Sequence, residues 1–142
     1  MIESGHENSG ITTISAPDGI NLCYIIRASY SPNQTEFLTP SSYSQQVGII
    51  KYPKEGKIKP HYHNKVSREV LYTQEVLVVR KGKVKVNLYD QDLIFVKSDI
   101  LFVGDTILLA SGGHGFEMLE DSEMLEIKQG PYGGVQNDKT IF

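Results

Sequence analysis

The chain has 142 residues, a length that fits one domain with a single hydrophobic core. Its net charge of −3 argues against a general nucleic-acid binder, which would carry a basic stripe or a strongly basic balance. The single cysteine, Cys23, has no partner for an internal disulfide, which fits a reducing compartment.

The polar residues 1–10 are expected to form a flexible N-terminus, followed by one domain over residues 11–142. The N-terminus lacks the basic start and the apolar run of a secretory signal. No apolar stretch approaches the ~20 residues that a membrane-spanning helix needs. The sequence therefore predicts a cytoplasmic protein with neither a membrane nor a nucleic acid as partner.

The rest of the chain alternates short β-branched and aromatic runs with clusters of Gly, Pro, Asp and Ser, which predicts many strands and almost no helix. Such a pattern is typical of an all-β sandwich or barrel. The expected strands are Ile11–Ser15, Leu22–Ala28, Val47–Tyr52, Glu75–Arg80, Lys83–Tyr89, Leu93–Val96, Asp105–Ala110, Gly115–Leu119 and Met124–Lys128.

Two histidines form the sequence Pro60-His61-Tyr62-His63. In a strand, residues i and i+2 point to the same face about 6–7 Å apart, so both imidazoles would reach one metal ion while Tyr62 faces away. Two histidines also share a surface face by chance, so the pair alone leaves a metal site and a solvated surface both open.

Glu75 begins a predicted strand, on the same face as Leu77 and Val79. Burying a carboxylate there without a compensating charge costs free energy. A divalent cation shared with the two imidazoles would compensate it, because two histidines and one carboxylate commonly bind Fe(II), Mn or Zn. Alternatively, Glu75 is exposed at the start of the strand or pairs with Lys or Arg.

His114 follows two glycines and precedes a third, and it opens a strand with Phe116 and Met118 on the same face. A histidine on such an apolar face is either a core residue with satisfied hydrogen bonds or a ligand. The flanking glycines favour a site, because they let the backbone approach closely. His6, in the polar N-terminus, is expected to be free.

Together these residues resemble the two sequence motifs of the cupin superfamily, over roughly residues 56–128. The first motif is Gly, five residues, His-x-His, three or four residues, Glu, six residues and Gly. Here Gly56 leads into the histidine pair after four residues, and Glu75 precedes Gly82 by the six expected. The departure is the interval of eleven residues before Glu75, which indicates either an inserted loop or another carboxylate, such as Glu69.

The second motif is Gly, five residues, Pro-x-Gly, two residues, His, three residues and Asn. Gly104 and His114 match its end positions with one residue fewer between them, and Met118 stands in place of the asparagine. His114 therefore matches the motif, whereas the turn before it does not.

The resemblance implies a cupin double-stranded β-helix, a jelly-roll barrel, with a divalent transition metal (Fe, Mn, Ni or Zn) bound by His61, His63, Glu75 and His114. Residues 113–132 also look like small metal-binding cupins, some encoded near surface-polysaccharide biosynthesis, which implies a sugar or sugar-nucleotide ligand. The candidate substrate-pocket residues are Arg68, Tyr72, Gln74, Phe116, Met118 and Lys128. Cupin habit and the apolar outer residues Val76 and Val78 suggest a homodimer.

Three functions follow as alternatives. The first is a metal-dependent enzyme, an isomerase, epimerase or dioxygenase, acting on a small polar metabolite. The second is a metal-independent sugar-nucleotide ketoisomerase or epimerase that moves a proton with one of the paired histidines. The third is a non-catalytic cupin that binds a small ligand.

Overall fold

The computed structural model describes residues 10–142. Residues 1–9, with His6 and nearly all of the expected flexible N-terminus, lie outside the described residues. Strands dominate the described part, which has one helix of four residues. The elements are β1 (Ile11–Ser15), β2 (Asn21–Ile26), β3 (Glu36–Phe37), β4 (Gly48–Ile49), β5 (Glu75–Lys81), β6 (Lys83–Tyr89), β7 (Phe95–Phe102), β8 (Thr106–Leu109), β9 (Gly113–Met118), β10 (Glu123–Lys128) and α1 (Val135–Asp138).

The strands form antiparallel sheets, which confirms the all-β prediction. A five-stranded sheet has the order β1-β2-β8-β5-β10, a three-stranded sheet has the order β7-β6-β9, and β3 pairs with β4. Within residues 10–142, hydrogen-bonded pairs do not join the two larger sheets into a closed barrel. The finer prediction of a cupin jelly roll therefore stays a prediction.

The core lies between the two larger sheets, where the inward-facing side chains of their strands meet. In β6, Val84, Val86 and Leu88 are fully buried whereas the residues between them are half-buried, as the sequence predicts. They pack with buried residues of the five-stranded sheet and of the neighbouring strand β7, which include Cys23, Ile25, Leu77, Val79, Leu101, Ile107 and Leu109.

The outer face of the five-stranded sheet is covered by this chain itself. Val76 is 8% exposed and belongs to a second buried cluster with Tyr24, Ile26 and Leu108. Side chains from the stretch around β3 and β4 pack onto that cluster, namely Tyr30, Leu38, Tyr43, Val47 and Ile49. The expected homodimer therefore loses the support that the apolar face of Val76 gave it, although the oligomeric state itself remains a prediction.

A charged network ties the two sheets together at one end. Arg27 donates hydrogen bonds from its guanidinium to Asp99 and Asp105, each at 3.0 Å. Asp105 is 3% exposed and also accepts the backbone N–H groups of Ala28 and Phe102 at 2.9 Å. A buried carboxylate with this many donors has its charge compensated, so Asp105 is a structural residue.

Strand boundaries differ from the prediction mainly where polar residues interrupt an apolar run. Strand β6 has its predicted bounds, but β7 continues to Phe102 through a polar stretch that the sequence analysis ended at Val96. The reason is pairing, because all of β7 except Val96 is aligned with β6. The short strand β3 was not predicted.

The largest disagreement concerns residues 50–73, here called the long loop. Each of its residues is exposed, and it contains no strand. The strand geometry that would point His61 and His63 to one face is therefore absent from this loop. The loop lies along no sheet edge that would pair with its backbone, and Pro60 offers no N–H for a ladder.

No helix among residues 10–142 is long and apolar enough to cross a membrane.

Candidate functional site

An open cleft of about 1500 Å³ lies at the end of the core opposite the Arg27 network. Its walls come from the inner faces of β5, β9 and β10, from the last residues of the long loop and from the C-terminal residues 137–142. Among the side chains that line it are Tyr72, Glu75, Leu77, Tyr89, His114, Phe116, Met124, Glu126 and Lys128. The cleft is the place where predicted site residues from distant parts of the sequence meet.

Glu75 reaches the cleft because it starts β5 on the same face as the core residue Leu77. The neighbouring strand β10 pairs Lys128 with Glu75 and Glu126 with Leu77. Met124, two residues before Glu126, packs against the core, so Glu126 and Lys128 share the inner face. Two adjacent strands thus direct two carboxylates and one ammonium group towards one region.

His114 reaches the same region from the other sheet. It lies on β9 two residues before Phe116, whose ring packs against the core. Gly112 has φ +70°, and any Cβ there would collide with the backbone oxygen of Tyr89, so only glycine fits this turn. His114 Nε2 lies 3.8 Å from Glu75 Oε2, and the two side chains are 30% and 19% exposed.

Burial controls the protonation of this pair. It raises the pKa of Glu75 to about 7, helped by the hydrogen bond and the negative charge of Glu126, while Lys128 and Lys139 oppose the rise. Burial also lowers the pKa of His114, with Lys139 acting in the same direction and Glu126 against it. Both shifts favour the uncharged forms of the two side chains, so their contact is not a firm ion pair.

Carboxylates outnumber cationic groups in the cleft. Its lining contains five acidic residues, Glu69, Glu75, Asp90, Glu126 and Asp138, against two basic residues, Lys128 and Lys139. Lys128 Nζ already contacts Asp138 Oδ2 at 3.2 Å and lies 5.0 Å from the centre of the Tyr132 ring. The cleft therefore offers many hydrogen-bond acceptors and little free positive charge.

The histidine pair lies outside the cleft lining. His61 and His63 are exposed on the long loop, with ring centres 5.4 Å apart. His61 Nδ1 is 2.8 Å from the carbonyl oxygen of Lys59. Because a carbonyl only accepts, this contact places the proton of the neutral ring on Nδ1 and leaves Nε2 free as an electron-pair donor.

The six candidate pocket residues divide into three groups. Phe116, Tyr72 and Lys128 line the cleft, Tyr72 being 82% exposed at its rim. Arg68 and Met118 do not line it, because Arg68 is on an exposed part of the long loop and Met118 is 54% exposed at the end of β9.

Gln74 lines the cleft but serves as a structural anchor. It is 7% exposed, and its side-chain oxygen accepts hydrogen bonds from Ser44 and Gln45 while its backbone N–H donates to Gln129. These bonds occupy the polar groups of Gln74 that a ligand would otherwise contact.

The fit of a metal is partial. Two atoms that each lie about 2.1 Å from one ion are at most about 4.2 Å apart, so the 3.8 Å between Glu75 and His114 is compatible with a shared ion. Across residues 10–142, however, no three His, Cys, Asp or Glu side chains are grouped closely enough to hold one. Glu75 and His114 thus lie close together, whereas His61 and His63 lie on the exposed long loop.

Glu126 is the site residue that the sequence analysis missed. The signal was available, because Met124, Glu126 and Lys128 alternate in a predicted strand in the same way as Glu75 and Leu77. What the sequence lacked was the pairing of β10 with β5, which sets Glu126 beside Glu75. Neither a protein-family model, nor a curated protein, nor a solved structure matches the chain.

Proposed function

We propose that this chain is a metal-binding cupin that binds or transforms a small polar metabolite in the cleft, with Glu75 and His114 as fixed ligands and His61 and His63 as ligands carried by the long loop. The observation that carries the proposal is the 3.8 Å contact between Glu75 and His114, which two separate sheets direct into one cleft. A divalent metal bound there would polarise a carbonyl or hydroxyl oxygen of the ligand.

The long loop is able to supply the missing ligands. The ten loop residues between His63 and the anchored Gln74 span up to about 33 Å when extended, which lets His63 approach Glu75. Eight large apolar side chains of the loop are exposed, so docking the loop would bury them: Ile50, Tyr52, Ile58, Tyr62, Val66, Val70, Leu71 and Tyr72.

The edge of β9 is a suitable place for the loop to dock. Within the described part of the chain, β9 pairs with β6 alone, so its other edge has free backbone N–H and C=O groups. A strand formed by the residues around Pro60 would pair there, next to His114. The two imidazoles would then share the face of His114 and point into the cleft.

The lining of the cleft suits a sugar. Carboxylates accept hydrogen bonds from hydroxyl groups, and the rings of Tyr72, Tyr89 and Phe116 offer flat apolar surfaces. The excess of acidic residues favours a sugar without phosphate over a sugar nucleotide, because phosphates would meet unscreened negative charge. A thermal-shift comparison of sugars with their nucleotide-linked forms tests this preference.

Elemental analysis of untagged protein, purified without chelator, tests the metal. We expect about one equivalent of one transition metal, and at least a tenfold weaker affinity in each of Glu75→Gln, His114→Ala, His61→Ala and His63→Ala. Glu120→Gln, an exposed carboxylate away from the cleft, is the matched control. Less than about a tenth of an equivalent, even after dialysis against Fe(II), Mn, Ni and Zn salts, would overturn the proposal.

A second candidate function, metal-independent isomerisation or epimerisation, is favoured by the pKa of about 7 for Glu75 beside an uncharged His114. Such a pair is suited to moving a proton near neutral pH. In this structure the role falls to Glu75 and His114 rather than to the histidine pair, which lies outside the cleft. Deuterium incorporation from solvent into a panel of keto sugars, with EDTA-treated protein, would support this function if Glu75→Gln abolished it. A ligand that binds without any exchange or turnover would instead favour a binding protein.

A further inference from the structure

The C-terminal residues 133–142, here called the strap, run along the cleft. Residues 137–142 line it together with Glu75 and His114. The strap contains α1, a single helical turn, and none of its residues is buried. A segment without buried residues and without strand pairing is held by few contacts, so it opens at low cost in free energy.

One contact of the strap is electrostatic. Asp138 is the last residue of α1, and its carboxylate lies 3.2 Å from the ammonium group of Lys128 on β10. Both side chains are mostly covered, at 16% and 24% exposed. This pair raises the pKa of Lys128, which therefore keeps its positive charge towards the strap. The contact fixes the strap to the strand that also carries Glu126.

The other contact is aromatic. The ring of Phe142 meets the ring of Tyr89 edge to face, with centres 5.1 Å apart. It also lies against the backbone of Gly113, where an added Cβ would stand 2.7 Å from Phe142 Cζ. The absence of a side chain at Gly113 is thus what lets the ring settle next to His114.

The strap also changes the charge above the site. Lys139, just after α1, is close enough to affect Glu75 and His114, where its charge favours the carboxylate of Glu75 and the neutral form of His114.

We propose that the strap covers the part of the cleft beside His114 and moves away to admit a ligand, and that the Lys128–Asp138 ion pair and the Phe142–Tyr89 contact hold it in place. Its role as a gate rests on the cleft being the ligand site proposed above. The position of the strap in the structure does not depend on that proposal, and it is testable by itself.

Modification of histidines by diethyl pyrocarbonate, followed for each residue by peptide mass spectrometry, measures the closure. The protein is treated with EDTA and kept at pH 8, where an ordinary histidine, with a pKa near 6.5, is uncharged and reactive. His61 and His63, exposed on the long loop, serve as internal controls. Three variants open the strap from different sides: Asp138→Asn, Phe142→Ala and Gly113→Ala. Val135→Ala, in the strap but outside the cleft lining, is the matched control.

Only 30% of the His114 side chain is exposed in the structure. We therefore expect the rate of His114 modification to rise about two- to threefold in Phe142→Ala and in Gly113→Ala, and further in the double variant Asp138→Asn/Phe142→Ala. His61 and His63 should react at unchanged rates. An unchanged rate of His114 modification in the double variant, or an equal rise in Val135→Ala, would overturn the proposal that the strap covers His114. Neither result bears on metal content, so failure of the strap and failure of the proposed function are distinguishable.

Discussion

Replacing Glu75 by glutamine should change the stability of the metal-free protein in a manner that depends on pH. The folded protein holds the Glu75 proton up to about pH 7, whereas the unfolded chain releases it near 4.5. Between these values the folded state binds more protons than the unfolded state, so the free energy of unfolding contributed by Glu75 falls as pH rises. Glutamine has no proton to lose and removes this penalty.

The size of the effect follows from the same two pKa values. Their difference corresponds to about 3 kcal/mol, at about 1.4 kcal/mol for each tenfold change in proton affinity. The Glu75 side chain is 19% exposed and therefore partly screened by water, so about 2 kcal/mol is the expected gain for Glu75→Gln above pH 7. Below pH 4 the two proteins should be equally stable, because Glu75 is then protonated in both states.

Urea unfolding in EDTA, from pH 4 to pH 8.5, measures this difference. With a typical urea dependence of about 2 kcal/mol per molar, the midpoint of Glu75→Gln should lie about 1 M above that of the parent at pH 8. Glu120→Gln, at an exposed position, should shift it little at any pH. A Glu75→Gln protein that is less stable than the parent at pH 8, or a stability difference that does not vary with pH, would refute the inference that burial raises the pKa of Glu75.

Three further predictions concern the frame around the site. Asp105→Ala should reduce the free energy of unfolding by about 3 kcal/mol, measured by urea unfolding, because it removes the buried carboxylate that accepts hydrogen bonds from Arg27 and from two backbone N–H groups. A loss below about 1 kcal/mol would contradict this. Gly112→Ala should lower stability by about 2 kcal/mol, because its φ is +70° and its Cβ would collide with backbone, whereas Gly115→Ala, with open space around it, should stay within about 0.5 kcal/mol. Equal melting temperatures for these two variants would contradict the requirement for glycine at position 112. Cys23, with burial raising its pKa to about 12, should resist iodoacetamide at pH 8 in the folded protein and react fully in urea; equal labelling rates would show that the thiol is accessible.

The long loop lacks the strand geometry that the argument for the histidine pair used. Pro60, His61, Tyr62 and His63 have the composition of a strand end, but a strand exists only where a neighbour supplies hydrogen bonds. In this structure the loop is anchored at Gln74 and otherwise exposed, so the local pattern has no partner. Whether residues form a strand is decided by pairing between distant segments, which spacing along one segment does not reveal.

The local sequence alone determined the inner and outer faces of the well-formed strands. Val84, Val86 and Leu88 alternate with polar residues, so their burial follows from the period of two, and the same argument puts Glu75 and Leu77 on one face. The glycines around His114 likewise indicated a close approach of the backbone, and at Gly112 a Cβ would collide with the backbone oxygen of Tyr89.

Tertiary structure decided which of these faces meet. The pairing of β10 with β5 brings Glu126 beside Glu75, and the packing of two sheets brings His114 to within 3.8 Å of the same carboxyl. The strap adds Lys139 to that environment from the far end of the chain. These neighbours set the pKa of Glu75, since burial and nearby charge are properties of the assembled fold. The residue type was therefore written in the sequence, whereas its chemistry depends on contacts between segments that are remote along the chain.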